Sequence, residues 1–328
     1  MLARERNWLL GEVLREVSRA FYLTLRILPR RSRETLGVTY LVARAADTIA
    51  DTDALPGEER LQFLVRLRAA ITGQRDPDFL EQLAARVANR QQDAGERRLL
   101  LCLPMVLELL ESLPLAELEA AREVLETLTR GMLEDLEGRP IETEHDLHRY
   151  TYLVAGCVGP FWTRITLLHH PALRHLDPDA MSRLGVSFGQ ALQLTNVLRD
   201  LPKDLQNGRC YLPRTELEKL GVAPLEALEL RASWTRVALD HFRAAEGYAL
   251  ALPARCTRLR LAVLWPILIG LETLALLNEQ PEWRAVKVPR SGIYRIMLAS
   301  WLISWNDRLL KGWFDRLHER VLRACKRA

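Results

Sequence analysis

Apolar residues recur at spacings of three and four along almost the whole chain, and they never alternate for long. "LREVSRAFYLTLRIL" (14–28), "RLQFLVRLRAAITG" (60–73) and "LAELEAAREVLETLTRGMLEDL" (115–136) show the pattern plainly. Such spacing puts apolar side chains on one face of a helix, whereas a strand needs a period of two. Breakers stand between the runs, at Pro29, Pro56-Gly57, Pro77, Pro104, Pro114, Gly138, Pro140, Pro171, Pro213, Pro253 and Pro281. They separate one helix from the next. A chain patterned this way is expected to be all-α. No GxGxxG, Walker-type loop, low-complexity stretch or linker interrupts it, so one helical domain over residues 1–328 is expected.

Of the 328 residues, 48% are apolar, enough to bury a sizeable core. The net charge of +4 is too small to mark a nucleic-acid binder, and no basic recognition helix accompanies it. Cys102, Cys157, Cys210, Cys256 and Cys325 are scattered and form no CxxC pair, which fits reduced thiols in the cytoplasm. Arg4, Glu5 and Arg6 precede the first apolar run, unlike a signal or transit peptide. No stretch reaches the roughly 20 uncharged residues of a membrane span.

Two polar stripes stand out against this background. In "YLVARAADTIADT" (40–52), Tyr40, Arg44, Asp47 and Asp51 are spaced by four, three and four, so they share one helical face. Their neighbours Leu41, Val42, Ala45, Ala46 and Ile49 suit packing. Taken alone, a solvated face with an ordinary Arg44–Asp47 pair would explain the stretch. "QALQLTNVLRDLPKDLQNGRCYLP" (190–213) repeats the arrangement with Gln193, Asn196, Asp200 and Asp204, and with Arg199 alongside. Two such stripes in one chain point away from a solvated surface. Mg²⁺ takes one or two carboxylates and completes its shell with water and phosphate oxygens. Aspartate pairs on facing helices would hold several Mg²⁺ ions around a diphosphate, and nearby arginines would neutralise the rest of its charge. Such a cleft draws diphosphate off an allylic carbon and leaves a carbocation walled from water by helices.

At these residues the sequence resembles the squalene/phytoene synthase family. "VSRAFYLTLRILP" (17–29) is similar to the family's N-terminal segment, "YLVARAADTIAD" (40–51) to its first aspartate motif and "YTYLVAGCVG" (150–159) to its tyrosine motif. "LQLTNVLRDLPKDLQNGRCYLP" (192–213) is similar to its second aspartate motif, and "VKVPRSG" (286–292) to a basic segment near its end. The wording resembles squalene synthases more than plant-type phytoene synthases.

The resemblance implies an isoprenoid-synthase helical bundle with a central cleft, and Mg²⁺-dependent head-to-head joining of two prenyl diphosphates. In the squalene branch two farnesyl diphosphates give presqualene diphosphate, and hydride from NADPH then yields squalene. Other members stop at dehydrosqualene, phytoene, presqualene diphosphate or hydroxysqualene. A helical binding protein without catalysis is the alternative of another class, and the intact aspartates speak against it. By the same resemblance Asp47, Asp51, Asp200, Asp204 and Asn196 would hold metal. Ser18, Arg19, Phe21, Gln193, Arg199 and Arg209 would bind the substrate. Tyr150, Tyr40 and Arg44 would serve the chemistry, with Tyr150 assisting proton removal. Arg44, Arg199, Lys287 and Arg290 would bind NADPH. No obligate protein partner is implied. Two departures are visible: Ala50 and Lys203 stand where squalene synthases often carry an extra acid. Pro202 lies between Asp200 and Asp204 and is expected to kink or end the helix there.

The segment 292–328 reads as a C-terminal amphipathic helix that is too short to span a bilayer. It either packs on the bundle or lies at a membrane surface as a peripheral contact.

Overall fold

In the computed structural model, which describes residues 2–18, 21–52, 55–74 and 76–326, many of the prolines start helices. Pro29, Pro56, Pro114, Pro213 and Pro289 are N-caps, and Pro77, Pro104 and Pro178 lie in first turns. The first N–H groups of a helix lack partners within it, so a proline there sacrifices no hydrogen bond. No strand occurs among the described residues, as the periodicity requires.

Backbone contacts gather into two compact units, Met1–Arg139 with Arg164–His169, and Pro140–Thr163 with His170–Ala328. In the first unit the helix Arg30–Asp51 packs against Leu103–Glu111 and Leu115–Leu136. Leu41, Val42, Ala45, Ala46 and Ile49 are all buried, so the polar stripe is the face left over. Thr35 Oγ1 donates to the buried Glu117 carboxylate and ties the first aspartate helix to the helix Leu115–Leu136.

In the second unit the helix Pro178–Gln206 packs along Leu228–Ala251 and against the turn Tyr152–Gly156. A Cβ on Gly159 would stand 2.1 Å from the Gly185 carbonyl carbon, so the backbones touch and only glycine fits. The "YLVAGCVG" motif is therefore a crossing of backbones that seats the tyrosine segment on the second aspartate helix. Thr257–Asn278 is the one helix among the described residues long and apolar enough to cross a membrane. As 78% of its apolar window is buried inside the protein, it is the core helix of this unit.

The helix expected to falter at Pro202 continues to Gln206. Proline cannot donate to the carbonyl four residues back, which is that of Leu198. Here Trp283 Nε1 donates to that carbonyl at 2.6 Å, and both residues are buried. A side chain from a distant loop supplies the bond the proline cannot make. Asp204 thus lies in the last turn of an intact helix. Its carbonyl accepts from Arg209 N at 2.8 Å as the chain leaves the helix.

The C-terminal segment forms two helices, Arg290–Ile303 and Asp307–Cys325, instead of one. Fully buried Arg260 fixes the corner by donating to the Ser304 carbonyl at 2.8 Å and to the Asp307 carboxylate. Leu310, Phe314, Leu317 and Val321 are buried, and Arg320 pairs with Glu272 and Glu279. The last helix is therefore docked on its unit.

Candidate active site

The first stripe keeps the order that the spacing predicts. Arg44 directs one guanidinium nitrogen to Asp47 and another to Glu96. Glu96 lies in the first turn of Ala94–Leu101, where Asp93 caps the helix by accepting from Gly95 N and Glu96 N at 2.9 and 3.0 Å. Gln91 Nε2 donates to the other Glu96 oxygen at 3.0 Å. The Asp47 carboxyl is pushed up to about 6, first by burial and then by the negative charge of Asp51, against the pull of Arg44. Its side chain still keeps 40% of its exposure, so it is reachable. Two repelling carboxylates one turn apart, with one side open, fit a divalent cation. Among the described residues no group of three acidic, histidine or cysteine side chains could close around a metal alone. The donor set therefore fits Mg²⁺ completed by phosphate oxygens and water, not an all-protein cage.

Beside this stripe, Tyr40 OH donates to the Val17 carbonyl at 3.4 Å, and its ring lies 5.3 Å from that of Phe21. The buried Ser18 hydroxyl donates to the Leu14 carbonyl. Arg19 lies outside the described residues. Ser18, Phe21, Tyr40, Arg44, Asp47 and Asp51 thus belong to the first unit.

The second stripe lies in the second unit. Arg199 holds Asp200 with both arms, Nε to Oδ1 at 2.8 Å and Nη2 to Oδ2. Asn196 Nδ2 donates to Gln193 Oε1 at 3.3 Å. Tyr150 stacks on Tyr211, with ring centroids 4.7 Å apart and 18° between planes. Tyr211 is buried and lies near the end of the second motif, so Tyr150 is coupled to that end of it. Gln190 Nε2, on the same aspartate helix, donates to the His148 carbonyl at 3.1 Å and seats the tyrosine's helix.

Lys287 and Arg290 are exposed, on a loop and at the start of the helix Arg290–Ile303. Their loop is tied down twice. Buried Arg231 donates to the Gln280 and Glu282 carbonyls, each at 3.0 Å, and Trp283 grips Leu198, the neighbour of Arg199. Arg44 and Arg199, the other basic side chains assigned to NADPH, both have their forks on carboxylates. Three residues escaped sequence reasoning: Glu96, Tyr211 and Trp283. Glu96 has no signal in its local spacing, whereas Tyr211 lies within the second aspartate motif and Trp283 stands three residues before the basic segment 286–292.

Residues 14–292 match the family described as squalene/phytoene synthase. The chain belongs to the squalene/phytoene synthase family. Within it, the presqualene diphosphate synthase of Zymomonas mobilis subsp. mobilis is 32% identical over 216 residues, covering 64% of this chain and 60% of that protein. The phytoene synthase of Cereibacter sphaeroides is 29% identical over 215 residues, covering 66% and 53%. The chain spans little more than half the length of these two relatives. The solved structure of TcSQS with the ligand E5700 superposes with a TM-score of 0.70 at 23% identity, covering 98% of each chain, which shows the shared family fold.

Proposed function

We propose that the protein joins two prenyl diphosphates head to head and, within that class, is a squalene synthase acting on farnesyl diphosphate. The observation that carries this is the repeated device described above. Each unit offers two aspartates four residues apart, one of them gripped by an arginine, in a chain that matches the family over residues 14–292. When bound, Mg²⁺ would neutralise the departing diphosphate, and NADPH would supply the hydride that ends the reaction. Asp47 and Asp51 would hold metal–diphosphate in one unit, and Asp200, Asp204 and Asn196 would do so in the other. Arg44 and Arg199 keep one carboxylate of each pair in place.

Forming the cyclopropane of presqualene diphosphate expels one diphosphate and one proton. Tyr150 would take the proton at its phenol oxygen, its ring fixed by Tyr211. A neutral phenol near pKa 10 does this only by passing its own proton to a neighbouring base, and the expelled diphosphate would receive it. Lys287 and Arg290 would face the phosphates of NADPH, on a loop that Trp283 and Arg231 hold beside the second motif. The protein would act in the cytoplasm and form a product that partitions into lipid.

A second reading, release of presqualene diphosphate as the product, is favoured by the likeness to the Zymomonas protein. Purified protein is incubated with farnesyl diphosphate and Mg²⁺, with and without NADPH, and the products are identified by mass. Squalene appearing only with NADPH supports the first reading. Presqualene diphosphate as the sole product under both conditions supports the second. No coupled product under either condition overturns both.

A further inference from the structure

We propose that the outward face of the helix Arg290–Ile303, with the corner that follows it, docks on the surface of an anionic lipid bilayer. Tyr294, Leu298, Trp301 and Trp305 are 64%, 61%, 58% and 64% exposed. Their spacing of four, three and four makes one continuous stripe, flanked by exposed Leu302 and Leu309. The opposite face of the helix, Gly292, Ile296 and Ser300, is buried, and Ser300 Oγ accepts from Trp265 Nε1 at 3.1 Å. The helix therefore has one face packed on the protein and an apolar face that the protein leaves uncovered. Large exposed apolar residues placed singly need no explanation, but a contiguous stripe does.

Charge selects the occupant. Between Glu282 and Asp307 the chain carries no acidic residue but four cations, Arg284, Lys287, Arg290 and Arg295, all exposed. Tryptophan and tyrosine suit the headgroup layer, and basic side chains around them favour anionic lipid. A second copy meeting this face through a two-fold axis would set the same cations against each other. The membrane-facing element is thus not the amphipathic last helix, whose apolar face is already packed on the protein.

The test is co-sedimentation of the full chain with phosphatidylcholine vesicles, with and without phosphatidylglycerol, at rising salt. It contains no prenyl diphosphate, so its outcome is separate from that of the proposed reaction. Two variants accompany the wild type: Leu298→Ser/Trp301→Ser/Trp305→Ser and Arg284→Glu/Arg295→Glu. All five positions are exposed, and circular dichroism checks the fold. The wild type should bind phosphatidylglycerol vesicles and lose binding with salt. The serine variant should partition at least about tenfold more weakly. The charge variant should lose roughly fivefold per cation. Three results would overturn the proposal: no preference for anionic vesicles, binding unchanged in both variants, or a dimer that the serine variant dissolves while vesicles are ignored.

Discussion

Replacing Trp283 by Phe isolates the bond that keeps the second aspartate motif helical. The Leu198 carbonyl is fully buried and takes its hydrogen bond from Trp283 at 2.6 Å. Losing that donor leaves a buried carbonyl unsatisfied, a cost of about 1–3 kcal/mol. The smaller ring adds a void worth about 1 kcal/mol. Pro202→Ala supplies the test, because it returns an N–H four residues beyond Leu198. In that background the carbonyl regains a donor, and Trp283→Phe should cost only the void. Urea unfolding of the four proteins, followed by circular dichroism, should give a coupling of about 1–2 kcal/mol. All three positions lie in one unit, so the cycle reports a single transition. Equal cost of Trp283→Phe in both backgrounds would mean that Trp283 does not stand in for the N–H that Pro202 lacks.

Asp47→Asn or Asp200→Asn should cut turnover at saturating Mg²⁺ by roughly 10²-fold or more. Asp47→Asn should not lower the melting temperature without metal, because it removes a charge that burial and Asp51 disfavour; steady-state rates and thermal melts check both. Tyr150→Phe should abolish formation of presqualene diphosphate, yet still convert presqualene diphosphate supplied to it; normal formation of the intermediate would make Tyr150 structural. Gly159→Ala should cost about 3 kcal/mol or prevent folding, because its methyl has no room at the Gly185 backbone; expression and melting measure this. Burial, and then the charge of His148, hold His241 below its ordinary value. The unfolded state therefore takes up the proton first as pH falls, and stability is lost from about pH 6.5 downward, through the lower folded value. An NMR titration of His241, and melting of His241→Gln against pH, would show whether this is so.

What was legible in the sequence is what depends on helical period. The stripes Tyr40–Asp51 and Gln193–Asp204, their apolar flanks and the Arg44–Asp47 pair all follow from spacing within one helix. Partners brought from elsewhere in the chain were not legible. Glu96 reaches Arg44 across 52 positions, and Trp283 reaches Leu198 across 85. The expected break at Pro202 was sound local reasoning, because a proline does orphan a carbonyl. It failed because a tertiary donor filled the gap. The C-terminal segment shows the same limit: its pattern marks one apolar-faced stretch, but only packing determines that it divides into two helices, that the last one is covered and that the outer face of Arg290–Ile303 is not.

In the proposed reaction diphosphate leaves in two steps from a coupled pair of prenyl chains. Diphosphate released per farnesyl diphosphate consumed, measured with Mg²⁺ and then after adding NADPH, reads both steps. One diphosphate is expected for each pair of substrates without the nicotinamide, and a second from the same pair once NADPH is present. Release of one diphosphate from every single substrate molecule under both conditions, with no coupled carbon skeleton formed, would contradict it.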